Sequence, residues 1–146
     1  MQSLSIDDKI KSWLKNFLNE NNYKIVELHT IRKNGLKIII YLYREDGVSL
    51  TDLENITRPI QAILSYNLDE SEEFSLELSS PGINRRFKSW EEMNIFYDKN
   101  IKVVMKEDGK IIRGKSHGYE NGMIKILTEK NEEKILEQNV AKIFLD

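Results

Sequence analysis

One short stretch divides this chain: Leu78-Ser79-Ser80-Pro81-Gly82-Ile83-Asn84-Arg85-Arg86-Phe87. It follows Phe74-Ser75-Leu76-Glu77-Leu78, an alternating run with the period of a half-buried strand. Two serines, a proline and a glycine in succession stop a strand. Proline withholds a ladder donor, and glycine admits backbone angles closed to other residues. Before the stretch the apolar pattern mixes a 3.6-residue period with a period of two. After it come short extended runs separated by turn signals. The stretch reads as a rigid corner between two domains, with Arg85 and Arg86 held between the apolar Ile83 and Phe87. A stiff linker would have the same composition, so local chemistry leaves both readings open.

The first part predicts helix, hairpin, helix, strand. Over 5–20, Ile10, Trp13, Leu14, Phe17 and Leu18 form one buried stripe, and Ser5 with Asp8 has the capping-box spacing. Residues 23–33 and 36–43 read as a hairpin about Asn34-Gly35, a type I′ signal. Residues 49–66 read as a second helix opened by Ser49 and Asp52. Pro59 lies inside its apolar stripe, so a kink is expected near Asn55–Arg58. The order places two helices on one face of a three-stranded sheet, with the third strand parallel to the second after the helical crossover. It loosely resembles RNA-binding KH domains, but the Gly-x-x-Gly loop of that fold is missing.

After the corner, Ser89 and Glu92 suggest a third capping box, with a short helix through Tyr97. Extended runs follow at 102–106, 110–118, 123–128, 133–136 and 142–145, with hairpin signals at Asp108-Gly109 and Asn121-Gly122. Five short strands predict a small antiparallel barrel. Gln138-Asn139-Val140 suits a 3₁₀ turn before the last strand, and Gly114 and Gly118 suit the bend that closes the barrel. Two cores are expected. Trp13, Phe17, Leu36, Ile38, Ile40, Ile60 and Leu76 would build one, and Val103, Ile112, Ile124, Ile126 and Ile143 the other.

The corner Leu78-Ser79-Ser80-Pro81-Gly82-Ile83-Asn84-Arg85 resembles the serine-serine-proline-glycine signature of the ribosome maturation factor RimP family. Asn84 stands where that family commonly has aspartate, and Arg86 where it commonly has proline. The order of elements is similar along essentially the whole chain. The fold class is thus α+β: residues 1–80 an α/β domain, 81–88 the corner, and 89–146 an SH3-like or Sm-like β-barrel with a short leading helix. The resemblance implies a factor that binds the immature small (30S) ribosomal subunit and promotes its maturation without catalysis.

Little in the chain suggests an enzyme. The absence of cysteine excludes disulfides and thiolate metal sites, and His29 and His117 fall in different predicted domains. No GxxxxGK[ST], GxGxxG or GxSxG is present. The pairs Glu72-Glu73, Glu91-Glu92 and Glu132-Glu133 read as solvated faces, since adjacent side chains point apart. No catalytic residue, cofactor or metal is expected. No apolar run reaches the ~18 residues of a membrane span. The first eight residues lack the basic and apolar regions of a leader, which suits a cytoplasmic protein.

Charge is uneven. Residues 1–80 carry 9 Lys+Arg against 13 Asp+Glu, and the remainder 13 against 11. The acidic front, with Glu45, Asp46, Asp69, Glu70, Glu72 and Glu73, suits a basic ribosomal protein. In the back half Lys102, Lys106, Lys110, Arg113 and Lys115 are candidate rRNA contacts. Tyr41, Tyr43, Tyr119 and Phe87 have the chemistry to stack on bases, although packing is the commoner use of strand aromatics. At the corner, Ser79, Ser80, Pro81, Gly82 and Arg85 are candidates for ribosome binding or for clamping the domains. Gly82 is expected in a backbone conformation that strains other residues. The partner is the small subunit, with no membrane, and the chain is read as a monomer. The rival reading is a free-standing Sm-like regulator whose barrels form an RNA-binding ring.

Overall fold

The computed structural model describes residues 4–146; residues 1–3, part of the stretch read against a leader, lie outside it. The chain divides into two compact units, Met1–Pro81 and Gly82–Asp146.

In the first unit, helix α1 (Ile6–Glu20) starts at Ser5, whose hydroxyl accepts from the Asp8 N–H at 3.1 Å. Strands β1 (Lys24–Arg32) and β2 (Leu36–Tyr43) pair antiparallel. Asn34 and Gly35 both take positive φ, 56° and 111°, as the turn signal requires. The loop is one residue longer than expected, because Arg32 pairs with Leu36. Leu36 gives its N–H instead to the Glu73 carbonyl at 2.9 Å, which draws it toward the third strand. Helix α2 (Leu50–Asn67) runs through Pro59 as one element and opens with a complete capping box between Ser49 and Asp52. It crosses over to β3 (Phe74–Ser79), which lies parallel to β2. The sheet order is β1-β2-β3. Both helices supply the core on one side: Ile10, Leu14, Ile60 and Leu64 are fully buried with Ile38, Ile40 and Leu42. Trp13, Phe17 and Leu76, expected in this core, are partly buried against it.

In the second unit, a short helix α3 (Glu92–Ile95) precedes five strands: β4 (Asn100–Met105), β5 (Ile111–Glu120), β6 (Met123–Leu127), β7 (Glu132–Leu136) and β8 (Val140–Leu145). A 3₁₀ turn, Glu137–Asn139, joins the last two. Val103, Ile124, Ile126 and Ile143 are buried as expected, together with Met93, Ile101, Ile135 and Val140.

The SH3-like or Sm-like barrel expected here is not formed. The sheet is open, in the order β7-β6-β5-β4-β8, and among the described residues no ladder joins β7 to β8. The reason lies in the corner. The outer flank of β8 is already occupied: Phe87 donates its N–H to the Ile143 carbonyl at 2.8 Å, Leu145 donates to the Arg85 carbonyl at 2.9 Å, and Arg86 bridges Phe144. The flank at Ile143 and Leu145 is thus taken by 85–87 and not by β7. The exposed edge at β7 is five residues long and carries Glu132, Glu133 and Lys134, which discourages pairing with other chains.

The two strand glycines serve purposes other than closure. Gly118, at φ +92°, sits where the β5–β6 register shifts between Ser116 and Tyr119. Gly114 lets the Leu127 backbone approach, because a Cβ there would collide with the Leu127 carbonyl oxygen.

Candidate functional site

Strand register determines which cations share a surface. In β4–β5, Lys102 pairs with Arg113 and Asn100 with Lys115, so Lys102, Arg113 and Lys115 project on one face. The alternate residues Ile101 and Val103 point into the core. The same face carries Lys142 and Phe144 on β8, opposite Val104 and Lys102. Across β6 and β7 it carries Lys125 opposite Lys134. Arg86, bridged to Phe144, extends the row past β8. The Lys102 ammonium lies 5.1 Å from the Phe144 ring centroid. Two cations are partly neutralised, Arg113 by Asp146 at 2.7 Å and Lys125 by Glu120 at 3.5 Å.

Of the expected basic stripe, Lys102, Arg113 and Lys115 are brought together. Lys106 and Lys110 instead flank the β4–β5 turn with Glu107 and Asp108. Sequence reasoning missed Arg86, Lys125, Lys134 and Lys142. No linear signal marks them, because they meet only through strand pairing.

The corner residues fall on both sides of the unit boundary. Ser79 ends β3 opposite Tyr41, and Pro81 closes the first unit. Gly82 begins a turn in which the Arg85 N–H donates to the Gly82 carbonyl at 3.1 Å. The strain expected at Gly82 is not found. It is absent from the positive-φ glycines, and a Cβ there would meet open space. The tip of this turn suffices without it, since Ile83 is 88% exposed.

Arg85 is buried, and its Nε donates to Glu92 Oε1 at 2.5 Å. Glu92 Oε2 accepts from the Lys88 and Ser89 N–H groups at 2.7 and 3.1 Å. One half of the expected Ser89–Glu92 box is therefore present, but α3 begins later, at Glu92, and ends at Ile95. The solvated reading of Glu91-Glu92 is corrected at Glu92, whose carboxylate is enclosed. Buried Ser116 donates to the Met93 carbonyl at 2.7 Å, and Asn94 Oδ1 accepts from the Tyr119 N–H at 2.9 Å, so α3 is fastened to the bend of β5.

The aromatics mostly pack. Tyr119 stacks on Trp90 and donates to Glu137 at 2.8 Å, a bond that raises its phenol pKa, with burial second. Phe87 stacks on Phe96. In the acidic front, Glu72 is paired with Arg32 and Asp46 with Arg44, whereas Glu45, Glu70 and Glu73 are exposed. Asp69 caps the Ser71 N–H and hydroxyl, which lowers its pKa. Among the described residues no group of three or more His, Cys, Asp or Glu is placed to hold a metal ion. No helix among them is long and apolar enough to cross a membrane.

An α/β unit followed by an open five-stranded antiparallel unit, with several cations on one face of its sheet, defines a small two-unit protein of mixed α and β structure. A family model described as the RimP N-terminal domain matches residues 13–84. A ribosome maturation factor RimP of Borrelia recurrentis (strain A1) is 37% identical over 97% of both chains. That of Borrelia hermsii (strain HS1 / DAH) is 34% identical over 93% of both. That of Borreliella afzelii (strain PKo) is 40% identical over 77% of this chain and 80% of its own. The chain belongs to the RimP family, whose members are non-catalytic factors, and it is not an enzyme.

Proposed function

We propose that this chain acts in ribosome maturation by binding the immature small subunit in the cytoplasm, as a monomer. The basic face of the second unit meets rRNA, with Lys102, Arg113 and Lys115 at its centre and Lys106 and Lys110 at its margin. The exposed carboxylates of the first unit, Glu45, Glu70 and Glu73 foremost, face a basic ribosomal protein. Arg85 works from within, holding the corner to α3, while Ser79, Ser80, Pro81 and Gly82 carry the chain from one unit to the next.

The relatives' shared name supports the process. The observation that carries the rRNA contact is the register that sets Lys102 opposite Arg113 with Lys115 beside them. Cations held on a sheet face neutralise phosphates and release their counterions. The rival ring-forming regulator rested on an Sm-like barrel, and that barrel is not formed.

Sucrose-gradient fractionation of a lysate tests the reading. The protein is expected with free small subunits and absent from translating ribosomes. Replacing Lys102, Arg113 and Lys115 together by glutamine should weaken that association about tenfold or more near 0.1 M salt. A protein that stays at the top of the gradient, or a triple variant that binds as the parent does, would refute it.

A further inference from the structure

A groove of about 460 Å³ lies in the second unit between the segment after the corner and β8. Its lining includes Arg86, Lys88, Lys142, Phe87 and Trp90, and no carboxylate. Three other hollows among the described residues mix charges. One beside the first hairpin sets Arg32 and Lys33 against Glu72 and Glu73. Another, at the end of β5, sets Arg113 and Lys115 against Glu129 and Asp146. A third sets Lys110, Arg113 and Lys130 against Glu129 and Glu133.

Arg86, Lys88 and Lys142 are all exposed, and among the described residues none of the three has an ion-pair partner. The carboxylate of nearby Glu92 is enclosed and committed to Arg85 and to two backbone N–H groups. It presents no negative charge to the groove mouth. Each of the two aromatic residues is stacked on a second ring. Trp90 stacks on Tyr119 with centroids 5.8 Å apart and planes 15° apart, and Phe87 on Phe96 at 5.3 Å and 26°. Both remain partly accessible. A rigid aromatic wall beneath free cations matches the chemistry of a nucleotide, a flat base joined to an anionic phosphate. An acidic peptide would use the cations and leave the rings without a partner.

We propose that this groove receives one unpaired nucleotide of an RNA strand. The base lies against Phe87 and Trp90, and the flanking phosphates meet Arg86, Lys88 and Lys142. The strand then continues onto the basic face, since Arg86 bridges Phe144 and Lys102 lies over that ring. The inference rests on the reading that the second unit meets rRNA, and it specifies where an unpaired base is held.

The test uses the full chain with Trp13→Phe, so that Trp90 alone reports. A ten-residue oligouridylate and a ten-residue oligoglutamate are titrated from roughly 1 μM to 1 mM, which brackets the roughly 1–100 μM of non-specific nucleic-acid affinities. The RNA is expected to quench Trp90 emission, with the peptide without effect. Replacing Arg86, Lys88 and Lys142 by glutamine should weaken RNA binding about tenfold or more. It should also reduce the slope of log affinity against log salt by about 2, from three lost contacts at about 0.7 each. Absence of quenching, quenching untouched by the triple change, or equal competition by oligoglutamate would overturn the proposal. Co-sedimentation of the same proteins separates the two failures. If Trp90 is silent but the parent sediments with small subunits, the groove is wrong and the rRNA reading stands. If Trp90 responds but the parent does not sediment, the groove stands and the subunit reading falls.

Discussion

Glu92 accepts three donors on two oxygens while fully buried, and Arg85 is the charge it answers. Truncating one partner of such a pair strands the other in a poor solvent for ions, at a cost of ~3–5 kcal/mol. Glu92→Ala is therefore expected to lower the urea midpoint followed by Trp90 emission, by a stability loss in that range. Gly82→Ala, which meets open space at an ordinary φ, should stay within about 0.5 kcal/mol. The opposite ranking would mean that Gly82, and not the ion pair, holds the corner. Sequence alone made Gly82 the strained residue, because glycine after proline is the usual mark of a turn with positive φ. The actual turn places Ile83 and Asn84 at its centre and only begins at Gly82. The Arg85–Glu92 pair was hidden for a related reason. Its members are seven positions apart, but the residues between them form no regular element, so no period in the sequence joins them.

Among elements, α2 has the best-defined start. Asp52 accepts the Ser49 N–H at 2.9 Å, and Arg44 Nη2 donates to the same carboxylate at 2.9 Å. Hydrogen bonding to Ser49 is the largest cause of a pKa lowered from 3.8, and Arg44 adds to it. A depressed carboxyl favours the folded state above its ordinary value and ceases to do so as pH falls through the folded value. A carboxyl NMR titration should therefore place the Asp52 midpoint below 3.8, and Asp52→Asn should flatten the acid limb of the stability profile. A midpoint at or above the ordinary value would contradict the capping box. This helix start was legible because its signal spans four residues. The hairpin at Asn121-Gly122 was legible for the same reason, with φ of 53° and 75° at its two turn residues. Sheet closure was not legible, since it depended on whether 85–87 or β7 took the flank of β8. The basic face was half legible: Lys102, Arg113 and Lys115 lie on strands joined by one hairpin and Lys125 and Lys134 on strands joined by another, while Lys142 arrives through the long-range pairing of β8 with β4.

At the scale of the whole molecule, the two cores have no member in common. The boundary between the units falls at Pro81/Gly82, which places the turn, Arg85 and the Arg86 bridge in the second unit. A fragment begun at residue 89 would lose the partner of Glu92 and uncover β8, so dissection should begin at Gly82. We expect the units to unfold separately, and each carries one tryptophan, Trp13 in the first and Trp90 in the second. Single-tryptophan chains, with the other ring replaced by phenylalanine, follow each unit within the full protein. Leu14 and Ile126 are fully buried in different cores. Truncating either to alanine should cost ~2–5 kcal/mol in its own unit. Leu14→Ala should then lower only the Trp13 transition, and Ile126→Ala only that of Trp90. Mutations in separate cores that share no partners add independently, and coupling shows as a deviation from that. If either substitution moves both transitions by the same amount, the chain unfolds as one cooperative body.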